Sequence, residues 1–126
     1  MAAEWMEMRH TLYEQATQEG GDWMEKFARN FQQLRQREAR SMREDFCGTF
    51  AHCCTWARQN ALNTAVGVDN DAKVLKWGLE EFGSQYSGLE EEEQQRITVS
   101  AGSPAHCSPF PDIECSGPHR SLNRTC

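Results

Sequence analysis

Proline is absent from the first 103 residues: Pro104, Pro109, Pro111 and Pro118 all lie in the last 23. Long apolar runs are absent too, and none approaches the roughly 18 residues of a membrane helix. The first ten residues, MAAEWMEMRH, contain no apolar stretch of the signal-peptide kind. Six cysteines would pair as disulfides in an oxidising compartment. Without a secretory leader, reduced thiols in the cytoplasm are expected, with the nucleus as the alternative. Basic charge is also in short supply. Thirteen Lys and Arg face nineteen Asp and Glu, for a net charge of −6. That balance argues against nucleic acid held by a basic surface. Neither a G-x-G-x-x-G fingerprint nor a P-loop is present, which counts against NAD, FAD and nucleoside triphosphates.

What is present fits one folded domain. The chain has 126 residues, and its mean hydropathy of −0.77 is on the polar side. Four Trp, six Phe and two Tyr argue against wholesale disorder. Charge is unevenly placed: residues 1–43 are neutral, 44–93 carry three basic and ten acidic side chains, and 94–126 are close to neutral. From about residue 101 neither a 3.6-residue nor a 2-residue period can be found, so 101–126 reads as an irregular or disordered tail. The expected organisation is a helical leader over 1–41, an α/β unit over 42–100, and that tail.

In the leader, Trp5, Met8, Leu12 and Ala16 fall on one helical face with Tyr13 beside it, and Gly20-Gly21 ends the helix. Asp22, with Glu25 three residues on, starts a second helix in the manner of a capping box. Its apolar stripe is Trp23, Phe27, Phe31 and Leu34, and its other face carries Arg29, Arg35 and Arg37. Packing on a core is the simpler expectation for this stripe, and docking of a partner the sharper one.

The middle alternates strand and helix. Met42-Arg43-Glu44-Asp45-Phe46 reads as a strand, Cys47-Gly48-Thr49 as a turn, and Phe50, Cys53, Cys54 and Ala57 as a buried helix face. Ala65-Val66-Gly67-Val68 is a second strand, stopping at Asp69. Asp71 caps a helix with Val74, Leu75, Gly78 and Phe82 on its inner face. The acidic run 90–93 reads as a solvated segment and Ile97-Thr98-Val99 as a third strand. A β-α-β-α-β run implies a parallel sheet with right-handed crossovers, whose ligands sit outside the carboxyl ends of the strands. Gly48 stands at one such end, where a glycine lets a ligand approach the backbone. Asp69 stands at the next, where a carboxylate can accept both hydroxyls of a ribose.

These residues resemble a family. Arg43-Glu44-Asp45-Phe46-Cys47-Gly48-Thr49, then Ala65-Val66-Gly67-Val68-Asp69-Asn70-Asp71, then Val74-Leu75-Lys76-Trp77-Gly78, resemble the opening motifs of a class I S-adenosylmethionine-dependent methyltransferase. The likeness spans residues from about 10 to 100, and Tyr13-Glu14-Gln15-Ala16 resembles the leader of one of its subgroups. It implies a Rossmann-like fold and S-adenosylmethionine or S-adenosylhomocysteine as ligand. It further implies cofactor contacts at Glu44, Asp45, Cys47, Gly48, Thr49, Asp69, Asn70 and Asp71. Among these, Glu44 corresponds to the family's first-motif acid, Gly48 to its central glycine and Asp69 to its ribose-binding acid. Phe46 and Phe50 stand where other members have glycines. The methyl acceptor and the catalytic residues cannot be read.

The family sheet has seven strands in the order 3-2-1-4-5-7-6, of which this sequence offers candidates for strands 1 to 3. The resemblance therefore implies a half-sheet incomplete for catalysis alone, with strand 1 as an exposed edge through which copies would associate. The alternatives are a non-catalytic interaction or regulatory module, a non-functional fragment, or a helical docking module over 4–40. A small zinc protein built on His52, Cys53, Cys54, His106, Cys107, Cys115 and His119 is disfavoured by their spacing. No metal site is expected, and no membrane association.

Overall fold

The computed structural model describes residues 2–17 and 21–105, and the predicted tail beyond 105, with His106, Cys107, Cys115 and His119, lies outside them. Two helices lead, α1 (Ala2–Thr17) and α2 (Gly21–Arg35). Then come β1 (Ser41–Asp45), α3 (Ala51–Gln59), β2 (Thr64–Asp69), α4 (Ala72–Glu80), α5 (Glu91–Gln95) and β3 (Ile97–Ala101). The three strands are all parallel and stand in the order β1-β2-β3, with β1 at one edge. This α/β arrangement, three parallel strands and five helices among the described residues, is compatible with half of a Rossmann-like sheet.

Side-chain alternation divides the sheet into two chemistries. Met42, Ala65, Ile97, Val99 and Ala101 belong to the apolar core, together with Cys53, Cys54 and Trp56 of α3 and Leu75 of α4. In the pairing register, Ser41, Arg43 and Asp45 alternate with them on the other face, beside Thr64, Val66 and Thr98. There Arg43 Nε donates to Asp45 Oδ1 at 2.7 Å, and its Nη2 to the Pro104 carbonyl at 2.9 Å.

Helix ends follow local chemistry. Asp71 caps α4, its Oδ1 accepting from the Lys73 and Val74 N–H groups at 3.0 and 3.4 Å. Arg96 satisfies carbonyls in and beyond the last turn of α3, donating to Ala57, Asn60 and Asn63 from one nitrogen. In the acidic run, residues 90–92 are exposed and 93 is half-buried, and 91–93 are helical. Glu90 and Glu93 form a reciprocal capping box that starts α5, a device that acidic composition alone does not reveal. Phe82 departs from the expected inner face: α4 stops at Glu80, and Phe82 lies beyond it, 96% exposed. The side chain of the expected cap Asp22 lies outside the described set.

Helix α1 turns its apolar face outward. Trp5, Met8, Leu12 and Tyr13 of α1 are exposed, whereas His10 and Glu14, one turn apart, are buried. His10 stacks at a tilt on Trp77 of α4, with ring centroids 5.3 Å apart. Glu14 Oε1 accepts the Gln85 N–H at 3.0 Å. Helix α2 enters the core through Met24, with Trp23 and Ala28 partly buried, while Phe27 and Leu34 of the predicted stripe face out.

Two buried titratable groups make the docking of α1 pH-dependent, with opposite signs. Burial, helped by Arg9, lowers the His10 pKa below its ordinary 6.5, against a smaller opposing pull from Asp71. The neutral ring is the folded form, so its contribution is complete above pH 6.5 and is lost as pH falls towards the folded value. Burial raises the Glu14 pKa above 4.5, partly offset by the Gln85 N–H. Its contribution is present below that value and is lost as pH rises through the folded one. Two results are expected from thermal melts. His10→Phe removes the acid-labile contact, so on acidification from about pH 7 to about 5.5 its midpoint falls less, or rises more, than that of the wild-type chain. Glu14→Gln, which keeps an acceptor and removes a buried charge, raises the midpoint at neutral pH.

Candidate cofactor site

The loop from β1 to α3 is strained by design of its sequence. Phe46, Gly48 and Phe50 have φ of 57°, 57° and 48°, a left-handed conformation that costs a non-glycine residue roughly 1–2 kcal/mol. At Phe50 burial offsets the strain. Its ring is fully buried, edge-on to Tyr86 at 5.5 Å, and packed on Gly78 of α4. A Cβ on Gly78 would lie 2.7 Å from Phe50 Cε1, so glycine is required there for space. The bulk of Phe50 is thus directed into the core. Phe46, in contrast, is 69% exposed.

Gly48 is required on two counts. Its φ is positive, and a Cβ would lie 3.3 Å from Cε1 of Tyr13, which α1 brings against the turn. Its N–H donates to Asp69 Oδ2 at 2.9 Å, and the other carboxylate oxygen accepts the Asp71 N–H at 2.8 Å. The Cys47 N–H reaches the Val68 carbonyl at 2.9 Å. Asp69 therefore ties the end of β2 to the turn after β1, at the carboxyl ends of two parallel strands.

The remaining predicted residues divide. Asp45 is exposed beside Arg43, Asn70 is exposed, and Asp71 is committed to capping α4. Thr49 and Cys47 are buried beneath the turn. Glu44 turns onto α3, where Oε1 meets His52 Nδ1 at 2.8 Å and Oε2 accepts from Cys53 Sγ at 3.6 Å. The structure brings Gly48 and Asp69 into contact and sets Glu44 beneath them, occupied by α3. Three contributors escaped the sequence reading: Tyr13 over Gly48, His52 on Glu44, and Trp23 edge-on to His52 at 5.1 Å. Each joins segments far apart in the chain, and no local pattern marks such a pair.

The electrostatics are of one sign. Burial, then the charges of Glu44, Asp69 and Asp45, push the Cys47 thiol well above its ordinary range. Cys53 is raised likewise, and Cys54 to about 12, burial leading in both. These thiols stay protonated at neutral pH and offer no nucleophile. Among the described residues no group of three or more His, Cys, Asp or Glu could hold a metal ion. None of their helices is long and apolar enough to cross a membrane. A strand end lined by carboxylates repels phosphate and suits a ligand bearing hydroxyls and positive charge. No family model, curated protein or solved structure matches this chain.

Proposed function

We infer that this chain binds S-adenosylmethionine or S-adenosylhomocysteine at the carboxyl ends of β1 and β2, as a cofactor-binding unit of the class I methyltransferase type. The observation that carries this is the Gly48–Asp69 hydrogen bond, which joins a glycine turn and a strand-end carboxylate across adjacent parallel strands. The residues present fit such a ligand. Each Asp69 oxygen accepts one backbone N–H and keeps a second lone pair, so ribose hydroxyls can still donate to it. Gly48 carries no Cβ, and Tyr13, whose ring lies over it, is the side chain that a ligand at this turn would meet. When bound, the sulfonium supplies an activated methyl group. The chain's own part is to hold the ribose and present a negative surface to the cationic centre. Glu44, held by His52, is not needed for this. Turnover and the methyl acceptor are not assigned, since the resembled family takes its acceptor contacts from strands beyond the third.

The test is a thermal melt with and without excess S-adenosylhomocysteine. A ligand confined to the folded state stabilises by about 2.7 kcal/mol at 100 times its Kd, which moves the midpoint by several degrees. A cooperative melt that stays put under saturating ligand would sink the assignment. A docking-module reading has its own support, in the exposure of Phe27 and Leu34 on α2.

A further inference from the structure

Helix α1 lies against the turn where the cofactor would sit. A Cβ built on Gly48 would stand 3.3 Å from Tyr13 Cε1 and 4.0 Å from its hydroxyl oxygen. The space that glycine leaves at the β1–α3 turn is therefore closed on one side by an aromatic ring carried on another helix. A ligand laid along that backbone and a ring in that place compete for the same volume.

What seats α1 there is polar. Among its described side chains only His10 and Glu14 are buried, and the others are exposed. Trp5, Met8 and Leu12 thus add no buried apolar surface, the main favourable contribution to packing. His10 rests on Trp77 and Glu14 accepts the Gln85 N–H, one on each side of Tyr13 in the chain. Trp77 is itself under-satisfied: its Nε1 is buried with no hydrogen-bond partner among the described residues. A buried donor without an acceptor opposes the state that buries it. Lifting His10 off that ring opens it to water, which is the missing acceptor. Once undocked, a helix of 16 residues is marginal in water and frays. Elements with so little apolar burial open locally, well short of global unfolding.

We propose that α1 is a lid on the β1–α3 turn: while it is docked the Tyr13 ring keeps ligand off Gly48, and S-adenosylhomocysteine enters when α1 swings away. The inference rests on the cofactor reading above and adds a means of regulating that site. His10 and Glu14 clamp the helix, on α4 and on the Gln85 backbone, and Tyr13 between them does the covering. Apparent affinity is then the intrinsic affinity multiplied by the open fraction, so a lid closed about nine-tenths of the time weakens binding about tenfold.

Two measurements on the full chain test it: calorimetric titration with S-adenosylhomocysteine, and hydrogen exchange read by mass spectrometry. Tyr13→Ala removes the covering ring, and His10→Ala loosens the clamp on α4 while keeping that ring. Each is expected to lower the Kd for S-adenosylhomocysteine by roughly 3- to 10-fold. A cooperative melt establishes that each variant folds, and should His10→Ala lose its melt, His10→Gln takes its place. In the wild-type chain, amides of residues 10–17 are expected to exchange at least about 100-fold faster than those of β2. Saturating ligand should speed them further while residues 47–51 slow. Weaker binding by Tyr13→Ala would make the ring a ligand contact and overturn the lid. So would protection of 10–17 that rises with ligand, since α1 would then close on it. A Kd unchanged in both variants, or lowered by Tyr13→Ala alone, would leave no movable lid and overturn it equally. If none of the three chains binds, the cofactor reading falls by itself. Exchange without ligand then decides the lid: residues 10–17 as slow as β2 overturn it, and fast local opening upholds it.

Discussion

Phe50→Ala is expected to cost about 3–5 kcal/mol, the usual price of emptying a buried aromatic site, and to lower the melting midpoint by roughly 10–20 °C. Its ring is fully buried between Gly78 and Tyr86 and joins the β1–α3 turn to α4, so little can collapse into the space. The backbone makes a second result distinctive. Phe50 holds φ of 48°, a conformation that alanine resists and glycine accepts. Phe50→Gly loses the same ring yet sheds the strain, so it should be more stable than Phe50→Ala by about 1 kcal/mol, the reverse of the ordinary order. Gly78 supplies the control. Gly78→Ala places a methyl 2.7 Å from the Phe50 ring and is expected to cost about 1–3 kcal/mol in the wild-type chain. In the Phe50→Ala background the ring contacts are gone and only the close approach to the Thr49 carbonyl, 3.1 Å, remains, so that cost should fall in part. Urea melts of the four chains give the coupling energy directly; additive effects would mean that the ring and the glycine do not oppose one another.

That pair also shows how far the sequence was legible. The alternation of strand and helix, the stop at Asp69 and the cap at Asp71 are local signals, and each stands within a residue or two of its expected place. Parallel order follows from the alternation through the handedness of crossovers. Gly48 could be read as a turn because a glycine after a strand and before a helix has few other uses. The direction of the Phe50 ring could not be read, since it depends on a glycine 28 residues later on another helix. The same limit explains α1. Periodicity groups its apolar residues on one face, and such a face is ordinarily the buried one. The structure buries His10 and Glu14 instead, because Trp77 and the backbone of Gln85 give them partners that only the fold assembles. Glu44 illustrates the point at the site itself. Its position in the motif is plain, but its carboxylate is claimed by His52, in the first turn of α3.

Asp69 is where local structure and the proposed function meet, and its variants separate the two. Asp69→Ala removes the acceptor for the Gly48 and Asp71 N–H groups. Each bond to a charged group contributes about 1.5–3 kcal/mol when buried. The site is partly open to water, which can replace the lost acceptor, so the expected cost is at the low end, roughly 2 kcal/mol in all. Asp69→Asn keeps one carbonyl oxygen and should recover part of that loss. For the ligand the two variants behave alike. An amide cannot accept two ribose hydroxyls, because one of its ends is a donor, and its remaining oxygen is a weaker acceptor than a carboxylate. The midpoint shift produced by S-adenosylhomocysteine in the wild-type chain should therefore vanish in both variants, while Asp69→Asn still melts cooperatively. A shift that survives in Asp69→Asn would confine Asp69 to stapling the turn and move the cofactor contact elsewhere. A shift that vanishes only in Asp69→Ala would mean that the ligand needs the turn held in place and not the charge. The charge matters in the proposed site because every neighbouring carboxylate is committed to the protein's own groups: Glu44 to His52, Asp45 to Arg43, and Asp71 to the first turn of α4. Asp69 too is bonded only to the chain itself, but it spends one lone pair per oxygen on backbone and retains the other. Stapling the turn and receiving a ribose are then successive uses of one carboxylate, and the first holds it in place for the second.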